Sequence, residues 1–181
     1  MAVIKNQMEF IEIKQANEND LEILALLGRI TWAETFGKLF RREKDVKDYG
    51  DTNFSISEIR SSLENPNVYF WIAYFYEFPV GYAKIENLID SKLVQGKTVC
   101  KLRNIYVLND FHSKRIGLGL WNRMLEKVKE LKCDKMWLSV LHSNDKAINF
   151  YKENDFYKVG DFNLKIGIDS FIMNIMVREL N

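Results

Sequence analysis

Apolar and polar residues alternate from Phe10 to Gln15, where Ile11 and Ile13 oppose Phe10, Glu12 and Lys14; this predicts a first strand. Asn19-Asp20 then caps a helix with Leu21, Leu24, Ala25 and Gly28 on one face. Residues 29–53 show no clean period: Trp32, Phe36, Phe40 and Tyr49 lie among the charges of Arg41 to Asp45. Ser55 or Ser57 opens another helix through Ile59 and Leu63, stopped by Asn65-Pro66. Val68 to Tyr76 is aromatic and β-branched, so it reads as a strand. Glu77-Phe78-Pro79 is expected to turn the chain, and Val80 to Asn87 to return as the partner. Lys92 to Lys97 reads as a loop and Val99 to Leu108 as a strand. Ile116 to Leu131 is an amphipathic helix, with Leu120, Met124, Leu125, Val128 and Leu131 on one stripe. Strand Lys135–Leu141, helix Asn144–Glu153 and strands Phe156–Phe162 and Ser170–Val177 follow. This order predicts a mixed α/β protein built on one sheet.

Composition narrows the class. The 181 residues fit one domain spanning 1–181, and 47% apolar content rules out a disordered chain. No apolar run approaches the roughly 20 residues that span a bilayer, and Met1 to Gln7 is too short and polar for a signal peptide. Cys100 and Cys133 form no C-x-x-C pair, and the histidines are His112 and His142 alone, so no metal site is expected. Two cysteines without a scaffold pattern point to a reduced, cytoplasmic protein.

Val99 to Asn122 carries the clearest chemistry. A strand ends at Val107-Leu108, a polar loop follows, and Lys114-Arg115-Ile116-Gly117-Leu118-Gly119-Leu120 opens a helix. A helix start presents unpaired N–H groups and the positive end of its dipole. Two glycines let an anion approach the backbone, so the segment describes a phosphate cradle. No Lys-Ser/Thr follows Gly119, as a P-loop needs, and Asn122 stands where a dinucleotide fingerprint needs a third glycine.

Downstream, Asn144-Asp145-Lys146-Ala147-Ile148-Asn149-Phe150-Tyr151 follows the strand Met136 to Leu141. Together with Leu102 to Val107 and Lys114 to Gly119, this order resembles the GNAT family of acetyl-CoA-dependent N-acetyltransferases, over nearly the whole chain. Lys114 stands where the family has Arg or Gln, and Asp155-Phe156 where it has Gly-Phe. The resemblance implies a GNAT fold: a single, mostly antiparallel sheet of about seven strands flanked by helices, splayed at the strand before the glycine turn. It also implies that Lys114 and the amides of Arg115, Ile116, Gly117, Leu118, Gly119 and Leu120 hold the CoA pyrophosphate. The pantetheine arm would pair with Ile105, Tyr106 and Val107 as an added strand, and Asn144 would bond it. Tyr151 would serve as the acid for the departing thiolate, and the Val107 N–H would stabilise the oxyanion.

The acceptor must lose a proton. An alkylamine is neutral in about one molecule in 2,500 at pH 7, a handicap of roughly 4.6 kcal/mol. Relatives often place a Glu on the strand before the glycine turn; here Arg103 and Asn104 stand there, and Glu86 on the preceding strand is the candidate base. Thr31 to Gly37, Tyr49 to Asn53, Phe70 to Ala73 with Gly81-Tyr82, and Arg103 to Leu108 look like the PaiA-type spermidine/spermine N-acetyltransferases within that family. The net charge is +1, yet residues 1–90 carry ten basic and fifteen acidic side chains, and the remainder sixteen and ten. An acidic half with Trp32, Glu34, Phe36 and Tyr49 suits a polyamine through charge and cation–π contact. The expectation is acetyl transfer by direct attack in a ternary complex. Another amine (a peptide N-terminus, Lys or an aminoglycoside) and a CoA-binding regulator without turnover stay open. No basic run is interleaved with aromatics, so no nucleic-acid partner is expected. Relatives commonly form homodimers, and the resemblance adds that state as an option.

Overall fold

The computed structural model describes residues 10–89 and 91–180. The strands are β1 (Ile11–Gln15), β2 (Val68–Phe75), β3 (Phe78–Asn87), β4 (Val99–Val107), β5 (Lys135–Leu141), β6 (Tyr157–Ile166) and β7 (Asp169–Glu179). The α-helices are α1 (Leu21–Phe36), α2 (Glu43–Asn53), α3 (Ile56–Glu64), α4 (Ile116–Glu130) and α5 (Asp145–Glu153). The strands form one seven-stranded sheet in the order β1-β2-β3-β4-β5-β7-β6. β1–β2, β5–β7 and β6–β7 pair antiparallel, whereas β4 and β5 pair parallel. The parallel register runs from Val99↔Lys135 to Leu102↔Leu138, and β4 continues past it to Val107. This is the mixed α/β protein on one sheet that the hydrophobic pattern predicts, with the mostly antiparallel pairing that the resemblance implies.

Contacts divide the chain into two compact units. One comprises the described residues up to Lys84 with Asn104–Glu126; the other comprises Ile85–Arg103 with the residues from Lys127 onward. The first buries Leu21, Leu24, Leu27, Ile59, Phe70 and Ile72 in one cluster. Each such side chain contributes about 1.5–3 kcal/mol on leaving water. The second has its own cluster of Val94, Val99, Trp137, Ile175 and Val177.

The structure differs from the sequence pattern at the first cap, where Asp20 makes no side-chain cap bond to α1 and Asn17 caps the 3-10 turn before it, and at three further places. Residues 29–53, which show no period, are helical apart from a short connection: α1 runs on to Phe36, and α2 follows a 3-10 turn at Gly37–Leu39. α1 buries Leu21, Leu24, Ala25, Leu27, Gly28, Thr31 and Trp32, so its apolar stripe continues through the segment. A Cβ at Gly28 would run into the Phe54 ring, so the glycine is where that ring packs. α2 is polar, and it is supported by Arg42–Asp45, Lys44–Asp48 and Lys47–Asp51 pairs.

The β2–β3 turn lies at Tyr76-Glu77 rather than at Glu77-Phe78-Pro79. Tyr76 adopts φ 56° and stacks on Phe10 at 4.3 Å, while Phe78 and Pro79 begin β3. Proline is tolerated at a strand start, so it does not mark the turn here.

Cys100 and Cys133, expected reduced, form a disulfide with Cα atoms 6.2 Å apart. The parallel register aligns Cys100 with Met136, which brings the residues just before β5 alongside the start of β4. Closing 33 residues of separation restricts the unfolded chain by about 4 kcal/mol in the chain-entropy account. Among the described residues, no helix is long and apolar enough to cross a membrane.

Candidate active site

In the first unit, β4 leads through a 3-10 turn (Asn109–Phe111) into α4. Gly119 N–H donates to Arg115 O at 3.1 Å. The donors that precede it, Ile116, Gly117 and Leu118, are therefore the orphan N–H groups of the first turn. A Cβ at Gly117 would meet nothing within 4 Å, so this residue borders open space, as a backbone anion cradle requires. Gly119 differs: a Cβ there would lie 2.6 Å from Ile13 Cδ1. Gly119 thus serves close packing against β1. Ile116 and Leu120 are buried, so their side chains secure the helix, while Leu118 is exposed. Lys114 Nζ lies 4.9 Å from the Phe75 ring centroid.

The loop before α4 is held unusually. Ser113 (φ 67°) and Arg115 (φ 61°) are non-glycine residues in the left-handed region, each costing about 1–2 kcal/mol. The fastenings are the ring of Phe111 on Phe75 at 5.7 Å, His112 and Glu34. His112 Nε2–H donates to Val107 O at 2.9 Å, which fixes that ring nitrogen as the protonated one. Asn109 N–H donates to Glu34 Oε2 at 3.0 Å. β4 is buried at Val99, Cys100 and Leu102 and only partly covered from Asn104 to Val107, so its second half has room beside it.

The same unit gathers the predicted acceptor aromatics. Trp32 stacks on Tyr49 at 4.2 Å, with Phe36 at 5.7 Å and Phe40 at 5.4 Å. Tyr106 meets Phe36 edge-on at 6.2 Å and Tyr82 at 6.1 Å, so this β4 residue turns its ring toward the aromatic group. The Tyr82 hydroxyl is buried without a hydrogen-bond partner, and burial pushes its pKa upward. In the sequence Tyr82 shows only as part of the Gly81-Tyr82 resemblance and as a polar-tipped residue within an apolar strand; its burial is set by packing.

Glu34 and two carboxylates of α2 are partnered. Asp48 pairs with Lys44, Asp51 with Lys47, and Glu34 holds Asn109. In the second unit, Glu86 is buried and accepts from Arg103 Nε at 2.6 Å. Asn87 Oδ1 beside it lies 3.5 and 3.6 Å from the two bridged sulfurs. Asn144 caps α5 by accepting from Ala147 N–H at 3.1 Å, which leaves its amide NH₂ as the group to offer a ligand. Tyr151 packs between Phe150 and Phe156, and burial pushes its phenol pKa up, so it stays protonated. Among the described residues, no group of three or more His, Cys, Asp or Glu is placed to hold a metal ion.

Known proteins share this fold. The model of the acetyltransferase (GNAT) family matches residues 30–156. The chain is 24% identical over 166 residues to an uncharacterized N-acetyltransferase in the pepI 3′ region of Lactobacillus delbrueckii subsp. lactis, covering 90% of this chain and 93% of that one. It is similar in structure to the PaiA N-acetyltransferase of Thermoplasma acidophilum in complex with coenzyme A. There the TM-score is 0.71 at 21% identity, over 94% of this chain and 99% of that chain. The ribosomal-protein-S18-alanine N-acetyltransferase of Escherichia coli gives 0.70 at 16%, over 93% of each. The family match runs from within α1 through the glycine turn to the end of α5, and by it the chain belongs to the GNAT family of acetyl-CoA-dependent N-acetyltransferases.

Proposed function

We propose that the enzyme acetylates a primary amine, with a polyamine such as spermidine or spermine as acceptor. The observation that carries the donor half is the open first turn of α4, where Gly117 leaves its backbone uncovered. Lys114 and the N–H groups of Arg115, Ile116, Gly117 and Leu118 are the proposed pyrophosphate ligands. The partly covered main chain of Ile105, Tyr106 and Val107 suits pairing with the pantetheine arm, and the Asn144 amide is its proposed donor. The substrate supplies the thioester; the amine nitrogen attacks its carbonyl, a C–N bond forms, and the C–S bond breaks. Val107 N–H is the proposed oxyanion donor. Tyr151, kept neutral by burial, is in the state an acid needs to protonate the thiolate. Glu86 is the proposed acceptor of the amine's proton, with Arg103 fixing one of its oxygens.

The acceptor half rests on the Trp32–Tyr49 stack with Phe36, a surface suited to a cation. It also rests on the resemblance of Thr31 to Gly37 and Tyr49 to Asn53 to polyamine acetyltransferases. A single-amine acceptor such as a peptide N-terminus is the second reading. The pairing of Asp48 and Asp51 with lysines favours it, because a polyamine must displace those lysines to use both carboxylates.

CoA release measured with spermidine, spermine, peptides and aminoglycosides decides between them. We expect spermidine or spermine to give the highest kcat/KM; a peptide in first place overturns the polyamine reading. Tyr151→Phe is expected to lower kcat about 100-fold with acetyl-CoA affinity nearly intact. Unchanged turnover removes Tyr151 from the mechanism.

A further inference from the structure

Glu34 looks from its neighbours like an acceptor-side carboxylate, but its geometry gives it another task. Trp32 and Phe36 lie four residues apart on one stripe of α1 and share the aromatic group with Tyr49. Glu34 is two residues from each, about 200° round the helix. Its Oε2 accepts from the N–H of Asn109, 75 residues away, at the first residue of the 3-10 turn before α4. A carboxylate there satisfies one of the donors a helical start leaves over.

The loop needs such fastening. It holds two non-glycine residues, Ser113 and Arg115, in the left-handed region immediately before the open amides of α4. His112 secures it through Val107 O and Phe111 through Phe75, but both contacts reach only strand residues. The Glu34 bond ties it to α1, the helix that carries Trp32 and Phe36.

We propose that Glu34 is a positioning residue for the cofactor turn: by holding Asn109 N–H it sets the loop that presents the α4 amides, and so joins the acceptor helix to acetyl-CoA affinity. This rests on the reading of the α4 turn as the pyrophosphate site. It places the consequence of losing Glu34 on the donor rather than on the amine.

Glu34→Ala and Glu34→Gln test it, with acetyl-CoA affinity by calorimetry, the amine KM, and hydrogen exchange on the ligand-free protein. The alanine variant is expected to bind acetyl-CoA about 10-fold more weakly, with amine KM changed less than about twofold. Glutamine keeps an oxygen to accept the same N–H and is expected to restore affinity to within about threefold of wild type. In the free protein, exchange at Asn109 is expected to quicken in the alanine variant alone. A raised amine KM with unchanged acetyl-CoA affinity overturns the proposal, as does unchanged exchange at Asn109. If wild type binds no acetyl-CoA, the pyrophosphate reading fails, and the exchange result still decides whether Glu34 holds the loop.

Discussion

The glycine turn and the aromatic group lie in the same unit, yet they are made of different material. The turn is backbone: orphan amides at the start of α4, bordered by a glycine whose Cβ position is open space. The aromatic group is side chain: Trp32, Phe36, Phe40, Tyr49 and Tyr106 in mutual contact. A backbone site tolerates side-chain change so long as the turn forms, which suits a donor shared across a family. A side-chain site changes shape with each substitution, which suits an acceptor that differs between members.

The largest test of this contrast is Gly117→Glu. The residue fits the helix start, since nothing lies within 4 Å and an acidic group complements the dipole. The fold is expected to keep its thermal midpoint while acetyl-CoA affinity falls about 100-fold, or about 2.8 kcal/mol. Retained affinity by calorimetry would place the phosphates elsewhere.

Gly119→Leu should behave in the opposite way. Its Cβ meets Ile13, so the expected loss is about 2 kcal/mol of stability by urea unfolding, with affinity largely preserved. Ile13→Ala in the same chain should recover part of it. A loss of acetyl-CoA binding without a loss of stability would make the two glycines equivalent.

The smallest effect concerns the aromatic side. Tyr82→Phe removes a buried hydroxyl that has no partner, so unfolding should cost about 1 kcal/mol more. A destabilised variant would show that the hydroxyl is satisfied in solution.

The same division explains what was legible in the sequence. The turn announces itself because glycine at 117 and 119 and the strand–loop–helix order are local features; sequence did not show that only Gly117 faces open space. Gly119 and Ile13 are over 100 residues apart, and their contact is set by packing. The aromatic residues were visible as residues but not as helices. α2 is too polar to show a period, and Gly50 within it argues against a helix. Pro79 misplaced the hairpin turn because a left-handed Tyr76 carries the reversal. The Cys100–Cys133 bridge depends on the β4–β5 register, which no spacing of two cysteines encodes. Glu34 shows its charge in the sequence, but its partner is a backbone N–H 75 residues away.

The most direct measurement follows the backbone amides of α4 by NMR while ligand is added. With acetyl-CoA, the amides of Ile116, Gly117 and Leu118 are expected to shift most strongly and to gain protection from exchange. With acetylpantetheine, which lacks the pyrophosphate, they are expected to stay nearly still. Acetyl-CoA binding that leaves these three amides unmoved would contradict a backbone cradle at this turn.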